Sequence, residues 1–317
     1  MPIKCDPALY SVVREEHLIH NDFFLRYAEF EGGAPSQLTF TCLSGGRELL
    51  RVRYGPEEIA ARFAYSREEL PRYRDSSLGR ILGLVCRPEE AFLHEHFSFF
   101  ASRPADALRI EAVCGGGVET AEVRIIPYQS PNRWRFPLAG AAVVTDTYPS
   151  VNSHRWCRNS EFAFDAGDFD GTLERPAIGG RTVYAACDGV VEEVFDGLDD
   201  TDDATDLAAV EARYGEHARI DGNHVLIRHG GGELSLYAHL QKGSVSVSAG
   251  EAVRAGRPIG RVGSSGSSWT PHLHFHVMRD GIGGPGVPVV FDNLRTILGE
   301  PCPLEDTVNL VWAEGPA

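Results

Sequence analysis

Several histidines and one aspartate in the C-terminal part of the chain have the residue types and spacing that metal chemistry needs. Pro271–His276 reads Pro-His-Leu-His-Phe-His, and His239, His154 and Asp165 lie upstream of it. Residues two positions apart on a regular strand share a face, but twist or a bulge decides whether their rings reach one groove. Together these side chains can supply three metal ligands and two further imidazoles, as a catalytic zinc site requires.

The segments that must position these residues are short strands with glycine turns between them. They are frequent and have no long helices between them, which predicts an antiparallel, mostly β architecture. The predicted strands are Val183–Val191, Asn223–Arg228, Ser235–Leu240, Ser244–Val247, Pro258–Val262 and His272–Met278. An acidic segment, 196–206, interrupts them and leads into a predicted helix from Asp206 to Tyr214 that Gly215 ends.

The sequence of the N-terminal part indicates a smaller strand-rich, sandwich-like domain over residues 1–145. Residues 146–317 are predicted to form the second domain. The N-terminal prediction rests on alternation of polar and apolar residues and on glycine turns. It comprises strands at Ser36–Leu43 and Leu49–Tyr54, helical turns at Pro56–Phe63 and Arg67–Tyr73, and a hairpin of Leu108–Val113 with Val118–Ile126. No catalytic signature is found in this domain, and the linker is placed at Pro127–Trp134.

Composition excludes some classes of partner. Lys+Arg 30 against Asp+Glu 45 gives a formal net charge of -15, which disfavours nucleic acid and anionic lipid surfaces. No stretch approaches the roughly 18 apolar residues of a membrane span.

The seven cysteines are scattered along the sequence without the regular spacings of paired cysteines, which predicts mostly buried thiols. No export signal is recognised at the N-terminus, so the compartment stays open between the cytoplasm and a route of export that this sequence does not show.

Several separate motifs resemble the lysostaphin-type zinc endopeptidases in order and spacing. The resemblance covers residues 180–278 and leaves the N-terminal half outside it. The matching segments are Val183–Val191, Gly222–Gly230, Leu236–Leu240, Gly250–Gly260, Val262–Gly266 and Pro271–Phe275.

The resemblance implies a role for each of the histidines and for the aspartate. His274, the second histidine of His-x-His, and Asp165 would bind Zn²⁺, whereas His272 and His239 would be catalytic and bind no metal. The family commonly places its first ligand four residues before the aspartate, where this chain has Glu161. We therefore expect His154 to be that ligand, with Glu161 as the alternative.

The resemblance also implies an activity, which is hydrolysis of peptide bonds, with peptidoglycan stem peptides or cross-bridges as the expected substrate. Zinc lowers the pKa of a water molecule and polarises the scissile carbonyl. His272 is expected to act as the base and His239 to stabilise the oxyanion, although the sequence leaves their order open. Gly263–Trp269 resembles a loop at the wall of the substrate groove.

Other residues of similar type have simpler interpretations. His94 and His96 form a second His-x-His without a partner motif, and His17 and His20 have helical spacing, so a structural role is expected for all four. His224, His229 and His276 could contact the site residues or simply belong to strands. Cys157 is expected to be a spectator thiol, and the acidic segment lacks the spacing of a calcium loop.

Two other functions compete with an active zinc endopeptidase. One is an inactive relative that serves as a binding or activator module. Such relatives usually lose zinc ligands, whereas this chain keeps His274, Asp165 and both catalytic histidines. The other is a zinc hydrolase of different acyl or amide bonds.

Overall fold

The protein divides into two compact units, Met1–Gln129 and Ser130–Ala317. The computed structural model describes residues 3–5, 8–15, 18–30, 34–64, 91–115, 117–145, 147, 154, 158–167, 178–296, 298–302, 304 and 308–315. Antiparallel sheets dominate both units, which confirms the mostly β fold class. None of the helices among these residues has both the length and the apolar character needed to span a bilayer.

The first unit is built on an eight-stranded sheet with the order β1-β3-β2-β8-β7-β4-β5, in which β6 pairs with β3. Its strands are β1 (Ile3–Cys5), β2 (Ala8–Glu15), β3 (Ile19–Phe30), β4 (Gln37–Ser44), β5 (Arg47–Tyr54), β6 (Ala91–Ala101), β7 (Ala107–Cys114) and β8 (Gly117–Pro127). A helix, α1, occupies residues 56–64. The predicted strands, hairpin and first helical turn are therefore present, while the predicted turn at 67–73 lies outside the described residues.

Alternating apolar side chains give this sheet a buried face. Along β7, every second residue from Leu108 onward is buried, as expected for a strand with one face on a core. The Phe97 ring stacks on the Phe23 ring, with 5.1 Å between the ring centroids, and contacts the Phe40 ring of β4 edge to face, with 5.5 Å between the centroids. His96 Nε2 lies 2.5 Å from Asp22 Oδ1, so this histidine has a structural partner within the sheet.

The boundary between the units lies earlier than the predicted change at 145/146. Gly140–Thr145 pairs with two strands of the second unit, and the Trp134 ring packs on His229 and Phe275. Residues 130–145 therefore fold with the second unit because their hydrogen bonds and apolar contacts lie there.

The second unit contains a nine-stranded sheet with the order β15-β12-β13-β14-β17-β10-β9-β19-β18 and a two-stranded sheet, β11-β16. Its strands are β9 (Gly140–Thr145), β10 (Phe164–Gly167), β11 (Thr182–Tyr184), β12 (Gly189–Phe195), β13 (Asn223–Arg228), β14 (Glu233–Leu240), β15 (Ala252–Val253), β16 (Pro258–Arg261), β17 (Leu273–Arg279), β18 (Leu294–Thr296) and β19 (Val308–Ala313). The helices are α2 (Leu207–Tyr214) and α3 (Glu216–Ile220).

Asp206 caps α2, as the sequence predicts. Its side chain accepts hydrogen bonds from the amides of Ala208 and Ala209 at 3.0 and 3.1 Å. Gly215, with φ 93°, ends the helix. The capping aspartate satisfies amides that have no partner within the helix.

Two predicted strands of this unit differ from the observed ones. The Val183–Val191 segment is divided between β11 and β12, because Ala186–Asp188 bend and the Ala186 amide donates to the Tyr237 hydroxyl at 2.7 Å. Ser244–Val247 forms no strand, because its amides have other acceptors: Val245 donates to the Asp196 side chain. These polar contacts come from distant residues, so local alternation could not predict them.

Candidate metal and catalytic centre

Asp165 and His274 face each other across two neighbouring strands. β10 pairs antiparallel with β17 in a register that places Asp165 opposite His274. The Asp165 Oδ1 atom lies 3.0 Å from His274 Nδ1. Strand pairing alone therefore brings together a carboxylate and an imidazole that the sequence predicts as metal ligands.

His154 completes a group of three potential ligands. Its Nε2 atom lies 3.2 Å from Asp165 Oδ1, and one ligand atom from each of His154, Asp165 and His274 lies within 4.8 Å of the others. No other group of this kind exists among the described residues. Glu161 is buried but does not belong to it, and Cys157 lies outside the described residues.

His239, the penultimate residue of β14, has an unusual backbone conformation. Its φ is 61°, a left-handed value that is uncommon for a residue other than glycine and is frequent at functional sites. The backbone amide donates to the Asp221 carbonyl at 2.8 Å. The ring Nδ1 lies 2.8 Å from the Ser265 carbonyl, and because a carbonyl only accepts, Nδ1 must carry the proton. The neutral His239 ring therefore has its lone pair on Nε2.

His272 lies just before β17 rather than within it. Its Nδ1 atom is 2.8 Å from the Thr270 carbonyl and 3.2 Å from Ser268 Oγ, so the same tautomer argument applies. The Nε2 atom lies 3.7 Å from Asp165 Oδ2, and the ring centroid is 4.6 Å from that of His239. The ring of His272 therefore reaches the same site as that of His274.

The loop Gly263–Trp269 fits closely against the turn that precedes β13. A Cβ atom on Gly266 would collide with the Gly222 backbone, and one on Gly222 would collide with the Ser265 carbonyl. Ser265 Oγ accepts from the Asn223 amide at 2.9 Å and donates to the Leu240 carbonyl at 2.8 Å. The two glycines therefore let this loop present the Ser265 carbonyl to His239.

The acidic segment supports this loop. Asp200 Oδ1 accepts from the Ser264 amide at 2.9 Å, and the Thr201 hydroxyl donates to the Gly266 carbonyl at 2.6 Å. Asp196 accepts from the amides of Gly243 and Val245. These carboxylates therefore accept structural hydrogen bonds that hold the neighbouring segments in place.

Burial and neighbouring charges shift the pKa values at the site. Burial by itself raises the pKa of the Asp165 carboxyl, but His154 and His274 outweigh it and hold that pKa well below its usual range. Burial, followed by the neighbouring His272 and His274, lowers the pKa of His239 to about 3. Burial also lowers the pKa of His274. These shifts therefore favour an ionised Asp165 and neutral rings at His239 and His274, and a carboxylate and a neutral imidazole are the states that bind a cation.

A second group of ionisable side chains lies next to this centre. His217 Nδ1 is 2.9 Å from Asp221 Oδ2, and His224 Nε2 is 3.5 Å from Glu193 Oε1. These four residues line a small cavity together with Leu236 and Met278. The sequence did not single out the two pairs, because their members lie on β12, α3, the turn after α3, and β13.

Two of the histidines left open by the sequence have different surroundings. His229 Nδ1 lies 2.8 Å from the Asp188 carbonyl and its Nε2 lies 2.7 Å from Ser235 Oγ, which explains it as a structural residue. His276 Nδ1 lies 2.9 Å from His274 Nε2. His276 therefore contacts a predicted metal ligand directly.

Comparison with known proteins finds a family match within the second unit. Residues 173–283 match the family model of Peptidase family M23. The match places an M23 peptidase domain in the second unit, which confirms the family resemblance of the sequence at that level. His239, His272 and His274 lie inside the matched range, whereas His154 and Asp165 precede it.

Curated relatives match over short segments. The murein hydrolase activator EnvC of Escherichia coli is 49% identical over 57 residues, which cover 18% of this chain and 13% of that protein. The peptidoglycan DD-endopeptidase ShyC of Vibrio cholerae is 32% identical over 103 residues, which cover 32% and 18%. The DD-carboxypeptidase/endopeptidase Mpg of Neisseria meningitidis is 48% identical over 60 residues, which cover 19% and 13%. The matched segments thus span only a small part of each relative.

Solved structures of M23 proteins also match. A mutant catalytic domain of the prophage-encoded M23 protein EnpA from Enterococcus faecalis is 20% identical with a TM-score of 0.30, covering 50% of this chain and 90% of that one. The catalytic domain of lysostaphin from Staphylococcus simulans is 19% identical with a TM-score of 0.28, covering 49% and 86%.

Proposed function

We propose that the protein is a zinc-dependent endopeptidase whose metal ligands are His154, Asp165 and His274. The observation that carries this proposal is the convergence of one carboxylate and two imidazoles, with ligand atoms within 4.8 Å of one another. Three nitrogen and oxygen ligands are the usual protein contribution to a catalytic zinc site, because the fourth position stays open for water or substrate. The donor set therefore fits zinc, which when bound acidifies water and polarises a carbonyl.

His272 is the proposed general base. Its Nδ1 proton is held by the Thr270 carbonyl, so its Nε2 is the nitrogen that can accept a proton from the attacking water. That nitrogen lies 3.7 Å from Asp165 Oδ2, and a carboxylate nearby stabilises the imidazolium that forms. The protonated ring can then deliver its proton to the leaving amine.

His239 is the proposed stabiliser of the tetrahedral stage. A negative charge developing beside the ring raises its pKa, so that Nε2 would take up a proton from solvent and the resulting Nε2–H would donate to the oxyanion. The Ser265 carbonyl holds the other nitrogen, so the ring is oriented before substrate binds.

The proposed substrate is a peptide of peptidoglycan. This part of the proposal is supported by the names of two relatives, a peptidoglycan DD-endopeptidase and a DD-carboxypeptidase/endopeptidase. The loop Gly263–Trp269 lies beside both proposed catalytic histidines and carries Trp269, whose side chain is 69% exposed. Small residues and an exposed aromatic ring suit the approach of an extended peptide.

A second candidate is an inactive module that activates another hydrolase. It is favoured by one observation, the 49% identity to a relative named as a murein hydrolase activator. The complete set of three ligands and two further imidazoles favours the enzyme, because a binding module has no use for them.

The test combines zinc content with peptidoglycan cleavage. We expect elemental analysis of the purified chain to find about one zinc ion per protein, and we expect release of new amino groups from purified peptidoglycan. His274→Ala should lose both. Zinc binding without cleavage of peptidoglycan or of model peptides would favour the activator, and absence of zinc after supplementation would overturn the metal site.

A further inference from the structure

His276 extends the Asp165–His274 pair into a line of three side chains. His274 Nδ1 lies 3.0 Å from Asp165 Oδ1, and His274 Nε2 lies 2.9 Å from His276 Nδ1. Both histidines lie on β17, two residues apart, so they share one face of the strand. His276 is 2% exposed, so water does not compete for this contact.

The two contacts assign different tasks to the nitrogens of His274. The nitrogen beside the carboxylate, Nδ1, is the one that converges with His154 and Asp165. The other nitrogen, Nε2, is occupied by His276 and is not available as a ligand. Metal-binding histidines usually hydrogen-bond a second group through the nitrogen that does not bind the metal, which fixes their tautomer and orientation.

We propose that His276 is the positioning residue for His274 in metal binding, an inference that rests on the proposed zinc site. Unlike a carbonyl or a carboxylate, which only accept, the imidazole Nδ1 of His276 can donate in one tautomer and accept in the other. His276 therefore supports His274 in both states of the centre.

The protons balance in this scheme. Without metal, His274 Nδ1–H donates to Asp165, so His274 Nε2 accepts from His276 Nδ1–H. A ligand nitrogen must present its lone pair, so with metal the His274 proton resides on Nε2 and is donated to His276 Nδ1. The His276 proton then resides on its own Nε2. Both rings stay neutral, and the number of protons on the pair does not change.

The surroundings of the second His276 nitrogen fit this exchange. His276 Nε2 is buried and has no hydrogen-bond partner among the described residues. No neighbour therefore ties this nitrogen to a protonated or an unprotonated state.

Two variants of the full chain distinguish the effect of the His276–His274 hydrogen bond from the effect of the space that the His276 ring fills. His276→Phe fills the space without a polar atom, whereas His276→Asn keeps a polar group close to the position of Nδ1. Competition with a chromophoric chelator should show zinc affinity about 10- to 100-fold weaker for His276→Phe and a smaller loss for His276→Asn. His229→Phe, which removes another buried histidine without contact to the proposed ligands, should bind zinc as the parent does.

Nitrogen-15 NMR of the unmodified protein gives a readout that does not depend on a variant folding. Adding zinc should move the His276 proton from Nδ1 to Nε2. An unchanged tautomer, or parent-like zinc affinity in His276→Phe, would overturn the inference while leaving the proposed function in place. A parent protein that binds no zinc would overturn both.

Discussion

Asp165 and His274 are 109 residues apart in the sequence, yet they are cross-strand partners with Oδ1 and Nδ1 3.0 Å apart. Their proximity follows from the register of β10 on β17, and a slip of one residue would move one of the two side chains to the opposite face. His154 lies outside the strands and approaches the same carboxylate oxygen at 3.2 Å. The strand pair thus supplies two ligand positions, and a non-strand residue supplies the third.

His154 and Glu161 provide the first prediction, because the sequence left both open as the first ligand. His154→Ala should lower bound zinc by more than about tenfold, since it removes one of three converging ligand atoms. Glu161→Gln should keep about one zinc ion per chain, because Glu161 does not belong to that group. Elemental analysis after dialysis measures both, and zinc loss in Glu161→Gln with retention in His154→Ala would reverse the assignment.

Glutamine substitutions distinguish the two proposed catalytic histidines. A glutamine amide can donate a hydrogen bond but cannot accept and return a proton. We therefore expect His272→Gln to lower kcat by about 10²- to 10⁴-fold and His239→Gln to retain more activity than His239→Ala. Both variants should keep their zinc, since neither ring belongs to the ligand group. A larger loss in His239→Gln than in His272→Gln would exchange the two roles.

Gly266 allows a test of the loop that orients His239. Its φ is 77° and a Cβ atom would collide with the Gly222 backbone, so Gly266→Ala should lower the free energy of unfolding by about 1–3 kcal/mol or more. Gly250→Ala is the matched control: its φ is 85° but nothing lies within 4 Å of the added Cβ. Urea unfolding should show the larger loss for Gly266→Ala, together with lower peptidase activity. Equal losses would mean that the close approach to Gly222 contributes nothing.

The sequence could predict those features that depend on local pattern or on motif order. Alternation and turns predicted β4, β5, β7, β8, β13 and β17, and the Asp206 cap predicted α2. The Ser265 carbonyl behind His239 could not be predicted, because a backbone acceptor leaves no mark in residue type. The His274–His276 contact depends on ring rotation, and the Glu193–His224 pair depends on strand register, so neither follows from spacing alone.

The His217–Asp221 pair predicts how stability varies with pH. Burial raises the pKa of Asp221, but the His217 hydrogen bond and the charges of His224 and His217 outweigh burial and lower that pKa. The stabilisation that the ionised Asp221 contributes therefore exists above about pH 4 and is lost as pH falls through the lowered pKa. The Asp221 hydrogen bond raises the pKa of His217. The stabilisation that the protonated His217 contributes therefore exists below about pH 6.5 and is lost as pH rises through the raised pKa.

The destabilisation caused by His217→Gln should therefore be largest at about pH 4–6.5 and should shrink on both sides. His217 is largely exposed, so solvent screening limits the effect to about 1 kcal/mol or less. Thermal unfolding from acid to mild alkali measures it, and the Asp221→Asn background is the control, because there the same substitution should lose its pH dependence. A pH-independent difference between parent and His217→Gln would show that the ring stabilises the fold by packing rather than by its charge.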